Sequence, residues 1–130
     1  MRKAILTEQA PKPLGPYSQG IIEGGFVFVA GQGCTNPLTG KLERGDVRSE
    51  TKQVFANLAA ILEAAGSSLG DVVKCNVYLR DINDFAVMNE VYATYFTAPF
   101  PARTTIQAGA LPGGIAVEIE CIAKLGKQAR

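Results

Sequence analysis

Five consecutive residues, Phe26-Val27-Phe28-Val29-Ala30, are apolar on both faces of any strand they form, and that constrains the fold of this chain more than any other feature. A strand of this kind needs cover on two sides. Only two stretches have a helical pattern. The first runs from about Asp46 to Ala65, with Val47, Val54, Leu58, Ile61, Leu62 and Ala65 recurring at three and four, and Gly66 placed to end it. The second runs from Phe85 to Phe96, with Phe85, Met88, Val91, Tyr92 and Tyr95 at helical spacing, Asp84 as its expected cap, and Pro99 and Pro101 beyond it. Two helices cover one face of a sheet. The other face is most simply covered by a second copy of the same chain, which makes a homo-oligomer the expected state.

The remaining segments read as strands. Residues 17 to 23 and 26 to 31 form a hairpin around Gly24-Gly25, Val72 to Leu79 alternates and is rich in β-branched residues, and Arg103 to Ala108 and Ile115 to Leu125 close the chain. The order β-β-α-β-α-β-β predicts an α+β fold, two helices packed on one sheet, in a single domain over residues 1–130. A hairpin or crossover through Leu111-Pro112-Gly113-Gly114 is expected to bring the last strand beside the one carrying Arg103.

Thirteen basic and twelve acidic residues leave a net charge of +1, too little to favour nucleic acid or an anionic membrane as partner. Cys34, Cys75 and Cys121 are odd in number, far apart and set among apolar residues, as suits buried thiols in a reducing compartment; neither a disulfide framework nor a metal site is expected. With no signal-like apolar run near the N-terminus and no long apolar span, a cytoplasmic location without membrane association is expected.

The chain has no histidine, so proton transfer falls to carboxylates, tyrosines, lysines or thiols. Arg103 enters a strand of Thr, Ile and Ala, where its planar fork of donors suits a small carboxylate, although a surface ion pair would use the same residue. Glu118 and Glu120 share one face of the last strand; the alternation does not say which of them faces a site, or whether both face solvent. Tyr17 follows the rigid Gly15-Pro16 turn and is a candidate to enter a cleft or to pack in the core. Gly31 marks close approach of the backbone to something, or a bulge. Cys34 and Cys121 lack any histidine to activate them and are expected to pack.

Taken together, Gly15-Pro-Tyr-Ser-Gln19, Ala30-Gly-Gln32, Asp84-Phe85, Met88-Asn89-Glu-Val-Tyr92, Phe100-Pro-Ala-Arg103, Ala110-Leu-Pro112 and Val117-Glu-Ile-Glu-Cys-Ile-Ala123 closely resemble the reactive intermediate deaminase A (RidA, YjgF) family, collinearly from about Ile5 to Leu125. The resemblance implies a chorismate mutase-like two-layer sandwich, a homotrimer whose sheets form a central barrel, and active sites in the clefts between subunits. It implies hydrolysis of the enamines and imines released by pyridoxal phosphate enzymes, that is a 2-iminobutanoate/2-iminopropanoate deaminase that needs no cofactor. Under it Arg103 binds the substrate carboxylate, Glu120 holds the attacking water, Tyr17 completes the catalytic set, and Gly31, Thr105 and Asn89 line the substrate site. Ala30 stands where many members have serine, and Thr105 where some have cysteine. A non-catalytic metabolite-binding or protein-binding trimer is the alternative, and an endoribonuclease a further one that the neutral charge disfavours.

Overall fold

In the computed structural model, which describes residues 1–126, the last four residues of the expected 1–130 domain lie outside the described part. Six strands form one mixed sheet, β1 (Lys3–Ile5), β2 (Gly20–Glu23), β3 (Phe26–Gln32), β4 (Val72–Leu79), β5 (Ala102–Gln107) and β6 (Val117–Lys124), in spatial order β1-β2-β3-β6-β4-β5. Helices α1 (Val47–Ala64) and α2 (Phe85–Tyr92) supply the second layer, so the α+β architecture is as expected. The sequence order gains one strand at the start. Three residues, Lys3-Ala4-Ile5, are too few to show alternation, and β1 exists because it pairs with β2.

Local chemistry sets most boundaries. Asp46 caps α1 by accepting from the Ser49 amide at 2.8 Å, and Gly66, at φ 80°, ends the helix with the Ser67 amide returning to the Leu62 carbonyl. Gly24 and Gly25 both have positive φ, the conformation a two-residue hairpin turn requires. Asp84 does not cap α2. A short 3₁₀ turn, Ile82–Asp84, precedes that helix, and Asp81 caps the turn instead, through the Asn83 amide. α2 stops at Tyr92, and a further 3₁₀ turn, Ala93–Tyr95, carries the chain onward. β2 begins at Gly20, three residues later than expected, just after the anchoring side chain of Gln19. It is buried, accepts from the Thr7 amide at 2.7 Å and donates to the carbonyls of Thr7, Ala10 and Pro11, tying down the segment that follows β1.

One face of the sheet packs against the helices. Val27, Val29, Cys75, Val77, Leu79, Val117, Ile119, Cys121 and Ala123 meet Val54, Phe55, Leu58, Ile61 and Leu62 of α1 and Met88 and Tyr92 of α2. The other face is open in the single chain, where Phe26, Phe28 and Ile106 remain 41%, 44% and 48% exposed. No helix among the described residues is long and apolar enough to cross a membrane.

β5 and β6 are not neighbours. α2 forms the crossover between β4 and β5, which therefore run parallel, and antiparallel β6 inserts between β3 and β4. The register makes the consequence definite. Cys75 lies opposite both Arg103 and Cys121, while Asn76 lies opposite both Thr104 and Glu120. Arg103 thus shares the helix-covered face with Cys75 and Cys121, and Glu118 and Glu120 point to the open face.

Buried Glu50 joins the start of α1 to the loop before β6, accepting from the Gly45 amide at 3.1 Å and from the Ala116 amide at 2.8 Å. Glu50→Ala should lower stability by about 2–4 kcal/mol by leaving two amides short of a charged acceptor. Urea unfolding of the variant measures this, and a loss within experimental error would show that water replaces the carboxylate.

Candidate active site

The candidate residues divide into two groups on this chain. The first is built around Arg103. Its Nη1 donates to Oδ1 of Asn89 on α2 at 2.7 Å, and its guanidinium carbon lies 4.7 Å from the Tyr92 ring centroid and 5.4 Å from that of Phe85. Two aromatic faces and one amide hold the fork in place without neutralising it. Among the described residues the ion pairs are Met1 with Glu23 and Arg48 with Glu90, and none involves Arg103. A hollow of about 430 Å³ lies before it, lined by Asn89, Tyr92, Ala93, Phe100 and Pro101. Thr105, two residues along the same face, has a buried hydroxyl with no hydrogen-bond partner, as does Tyr92.

The second group lines a cleft of about 640 Å³ near the bulged end of β3. Tyr17, Gly31 and Glu118 all face it, together with Lys12 and the loop around Thr35 to Leu42. Between the pairs Val29/Cys121 and Gln32/Ile119, residues Ala30 and Gly31 stand against Glu120 alone, a β-bulge that turns the strand here. Gly31 makes room for the site: a Cβ at that position would overlap the carboxylate of Glu118 and displace it. Asn57 on α1 anchors the cleft loop by donating to the carbonyls of Gly33 and Thr35 at 3.1 and 2.9 Å. Tyr17 accepts through its hydroxyl from the Leu14 amide at 3.2 Å, which folds the 14–17 turn over the cleft mouth.

Glu120, the water-holding residue that the family resemblance implies, does not line this cleft. It projects from the open face of the sheet, where Oε1 accepts from the Tyr78 hydroxyl at 2.8 Å. Glu118 makes no hydrogen bond among the described residues. Burial, and then the negative charge of Glu120, push its carboxyl above the usual carboxylate range. The bond to Glu120, followed by burial, raises the Tyr78 hydroxyl. Sequence reasoning missed Tyr78, whose only signal is that it stands on the same face as Asn76 in an alternating strand.

The cysteines behave as packing groups. Cys34, Cys75 and Cys121 are free and buried. Burial, then the nearby Glu50 carboxylate, raises the Cys34 thiol to about 11, and burial likewise raises Cys75 and Cys121. Thiols held protonated in this way are poor nucleophiles. Among the described residues no cluster of three or more His, Cys, Asp or Glu is placed to hold a metal ion.

In sequence and fold the chain is similar to known proteins. The family model described as "Endoribonuclease L-PSP" matches residues 7–125, and the chain belongs to this family, that of RidA and YjgF. A RutC family protein of Pyrococcus horikoshii is 54% identical, over 95% of this chain and 98% of its own. The 2-iminobutanoate/2-iminopropanoate deaminase of Bos taurus is 46% identical, over 97% of this chain and 92% of its own. Among solved structures, RidA from the Antarctic bacterium Psychrobacter superposes with a TM-score of 0.90 at 46% identity, covering 95% of this chain and 99% of that one. The YjgF gene product of E. coli superposes with a TM-score of 0.88 at 41% identity, covering 94% and 98%.

Gly31→Ala should leave the fold intact and displace the Glu118 carboxylate. The expected signature is a moved Glu118 side-chain carbon resonance with a melting temperature within about 5 °C of wild type, roughly the effect of 1 kcal/mol. An unmoved resonance would show that Gly31 and Glu118 are not in contact.

Proposed function

We propose that this protein hydrolyses 2-imino acids to 2-oxo acids and ammonia, in sites that form between copies of the chain. The observation that carries the reading is Arg103: a guanidinium fixed by Asn89 and two aromatic rings, with no carboxylate of its own among the described residues. Such a group is preorganised for an external carboxylate, which it would clamp through two parallel hydrogen bonds. The deaminase names of relatives at about this distance point to the same substrate class.

A second copy is needed because Arg103 and the Tyr17–Gly31–Glu118 cleft belong to opposite faces of one sheet. The open face with Phe26, Phe28 and Ile106 is the surface by which copies would join, in the homotrimer proposed for this chain. In that arrangement Arg103 of one copy would meet the cleft of another, and the site would need no cofactor. Thr105 and Asn89 would support the carboxylate end of the substrate, and Gly31 would offer backbone contact at the other.

In this reading Glu118, rather than Glu120, holds the water. It shares the cleft with Tyr17 and Gly31, whereas Glu120 already accepts a hydrogen bond from Tyr78. With the substrate carboxylate on Arg103 and the imine nitrogen protonated, water attacks the C=N carbon as Glu118 takes one of its protons, giving a neutral carbinolamine. The protonated Glu118 then returns that proton to nitrogen. The C–N bond breaks, ammonia departs, and the hydroxyl gives its proton to the Glu118 carboxylate as the C=O forms, from which it passes to the released ammonia. Such imines hydrolyse readily in water, so positioning and a general base worth about 100-fold or more suffice. The family description names an endoribonuclease, but a cleft with Glu118 beside Lys12 and a chain charge of +1 offer no basic track for a phosphate backbone.

Arg103→Ala should reduce kcat/KM for 2-iminobutanoate by about 100-fold or more while the fold survives. Glu118→Gln should cost about 100-fold, and Glu120→Gln less than about ten-fold at neutral pH. A coupled assay of oxo-acid formation with circular dichroism checks all three. If Glu120→Gln is inactive and Glu118→Gln is not, the water belongs to Glu120. Wild-type activity should also fall as pH drops through the raised carboxyl of Glu118, because the protonated form cannot take a proton from water.

A further inference from the structure

Tyr78 makes the two glutamates of β6 unequal. In the strand register it lies opposite Glu118, and Asn76 lies opposite Glu120. Its hydroxyl nevertheless reaches diagonally to Oε1 of Glu120 at 2.8 Å. Diagonal neighbours across an antiparallel pair are within range of an aromatic side chain, and here the phenol spans that range. One oxygen of Glu120 is thereby fixed, and its charge is held on the same face as Glu118, two residues along the strand.

We propose that Tyr78 and Glu120 form a positioning pair behind the catalytic carboxylate, Tyr78 pinning Glu120 so that its negative charge bears on Glu118. The proposal rests on the reading of Glu118 as the base. Neither member of the pair lines the cleft with Tyr17 and Gly31, so neither is placed to touch substrate there. Their effect is on the proton. A base that holds its proton more tightly takes one from water more readily, provided it is still ionised at the working pH.

The groups around Glu118 are few. Glu120 is on its own strand, Tyr78 comes from β4, and β3 contributes Gly31, which has no side chain. Tyr17 and Lys12 line the same cleft, and Arg2 lies with Glu120 along the open face. Of these, Glu120 is the charge identified as acting on Glu118, in the same direction as burial. Tyr78 is also specific in what it can do. A phenylalanine there would keep the ring and lose the oxygen that holds Glu120 in place.

The test compares wild type, Tyr78→Phe and Glu120→Gln by two readouts: the pH dependence of kcat/KM for 2-iminobutanoate, and a carbon-13 titration of the Glu118 carboxyl by NMR. Removing or releasing the negative charge makes the ionised form of Glu118 easier to reach. The acid limb of the rate profile and the Glu118 titration should therefore both move to lower pH in each variant, with KM close to wild type. A loss of kcat with both curves unmoved would overturn the proposal and leave the pair a structural contact. Should Glu120→Gln fail to fold, Tyr78→Phe still decides, since it removes a single oxygen. If wild type does not hydrolyse the imine, the deaminase reading fails, and the NMR titration still shows whether the pair acts on Glu118.

Discussion

The register of β4 against its two neighbours governs the chemistry of this protein. Because Cys75 lies opposite both Arg103 and Cys121, the arginine must point into the helix layer, and because Asn76 lies opposite Glu120, both glutamates must point away from it. A slip of one residue in the β4–β5 pairing would turn Arg103 to the open face, and one in the β4–β6 pairing would turn the glutamates inward and expose the apolar run Val117, Ile119, Cys121. The burial of those residues against α1 therefore fixes the side on which each polar group emerges. Arg103 emerges where α2 can support it, at an edge strand with one neighbour. The carboxylates emerge on a face that the single chain leaves uncovered.

That uncovered face and the arginine each call for a partner. Phe26, Phe28 and Ile106 leave apolar surface in water, and Arg103 has no carboxylate partner among the described residues. Association of copies through the open face would cover the first, and a substrate carboxylate would answer the second. The aromatic support of Arg103 matters to this economy of charge. Rings and an amide orient a guanidinium without cancelling it, whereas a protein carboxylate in the same place would compete with the substrate.

Much of the fold was legible in local chemistry. Asp46 and Gly66 mark the ends of α1 because one accepts a helix amide and the other tolerates positive φ, and Gly24-Gly25 marks its hairpin for the second reason. Alternation in Val72 to Leu79 and Ile115 to Leu125 was enough to find β4 and β6. What stayed hidden depends on partners. β1 exists only through pairing with β2, Asp81 outcompetes Asp84 through a turn that helical spacing does not reveal, and the insertion of β6 between β3 and β4 follows from the parallel crossover through α2. The same limit applied at the site. Alternation placed Glu118 and Glu120 on one face, but only the folded cleft, where Gly31 lies against Glu118, shows that Glu118 is the one that shares it with Tyr17. Arg103 and Asn89 were both candidates from the sequence; their hydrogen bond across β5 and α2 was not legible there.

The central claim is that one working site draws on two chains, Arg103 from one and Glu118 from another. Mixing separately inactive Arg103→Ala and Glu118→Gln subunits, by joint unfolding and refolding, tests it most directly. Random assortment in a cyclic oligomer should pair an intact arginine with an intact glutamate in about a quarter of the sites, restoring roughly that fraction of wild-type imine hydrolysis. If the mixture stays as inactive as its components although mixed oligomers form, the two residues serve the same chain and the account is contradicted.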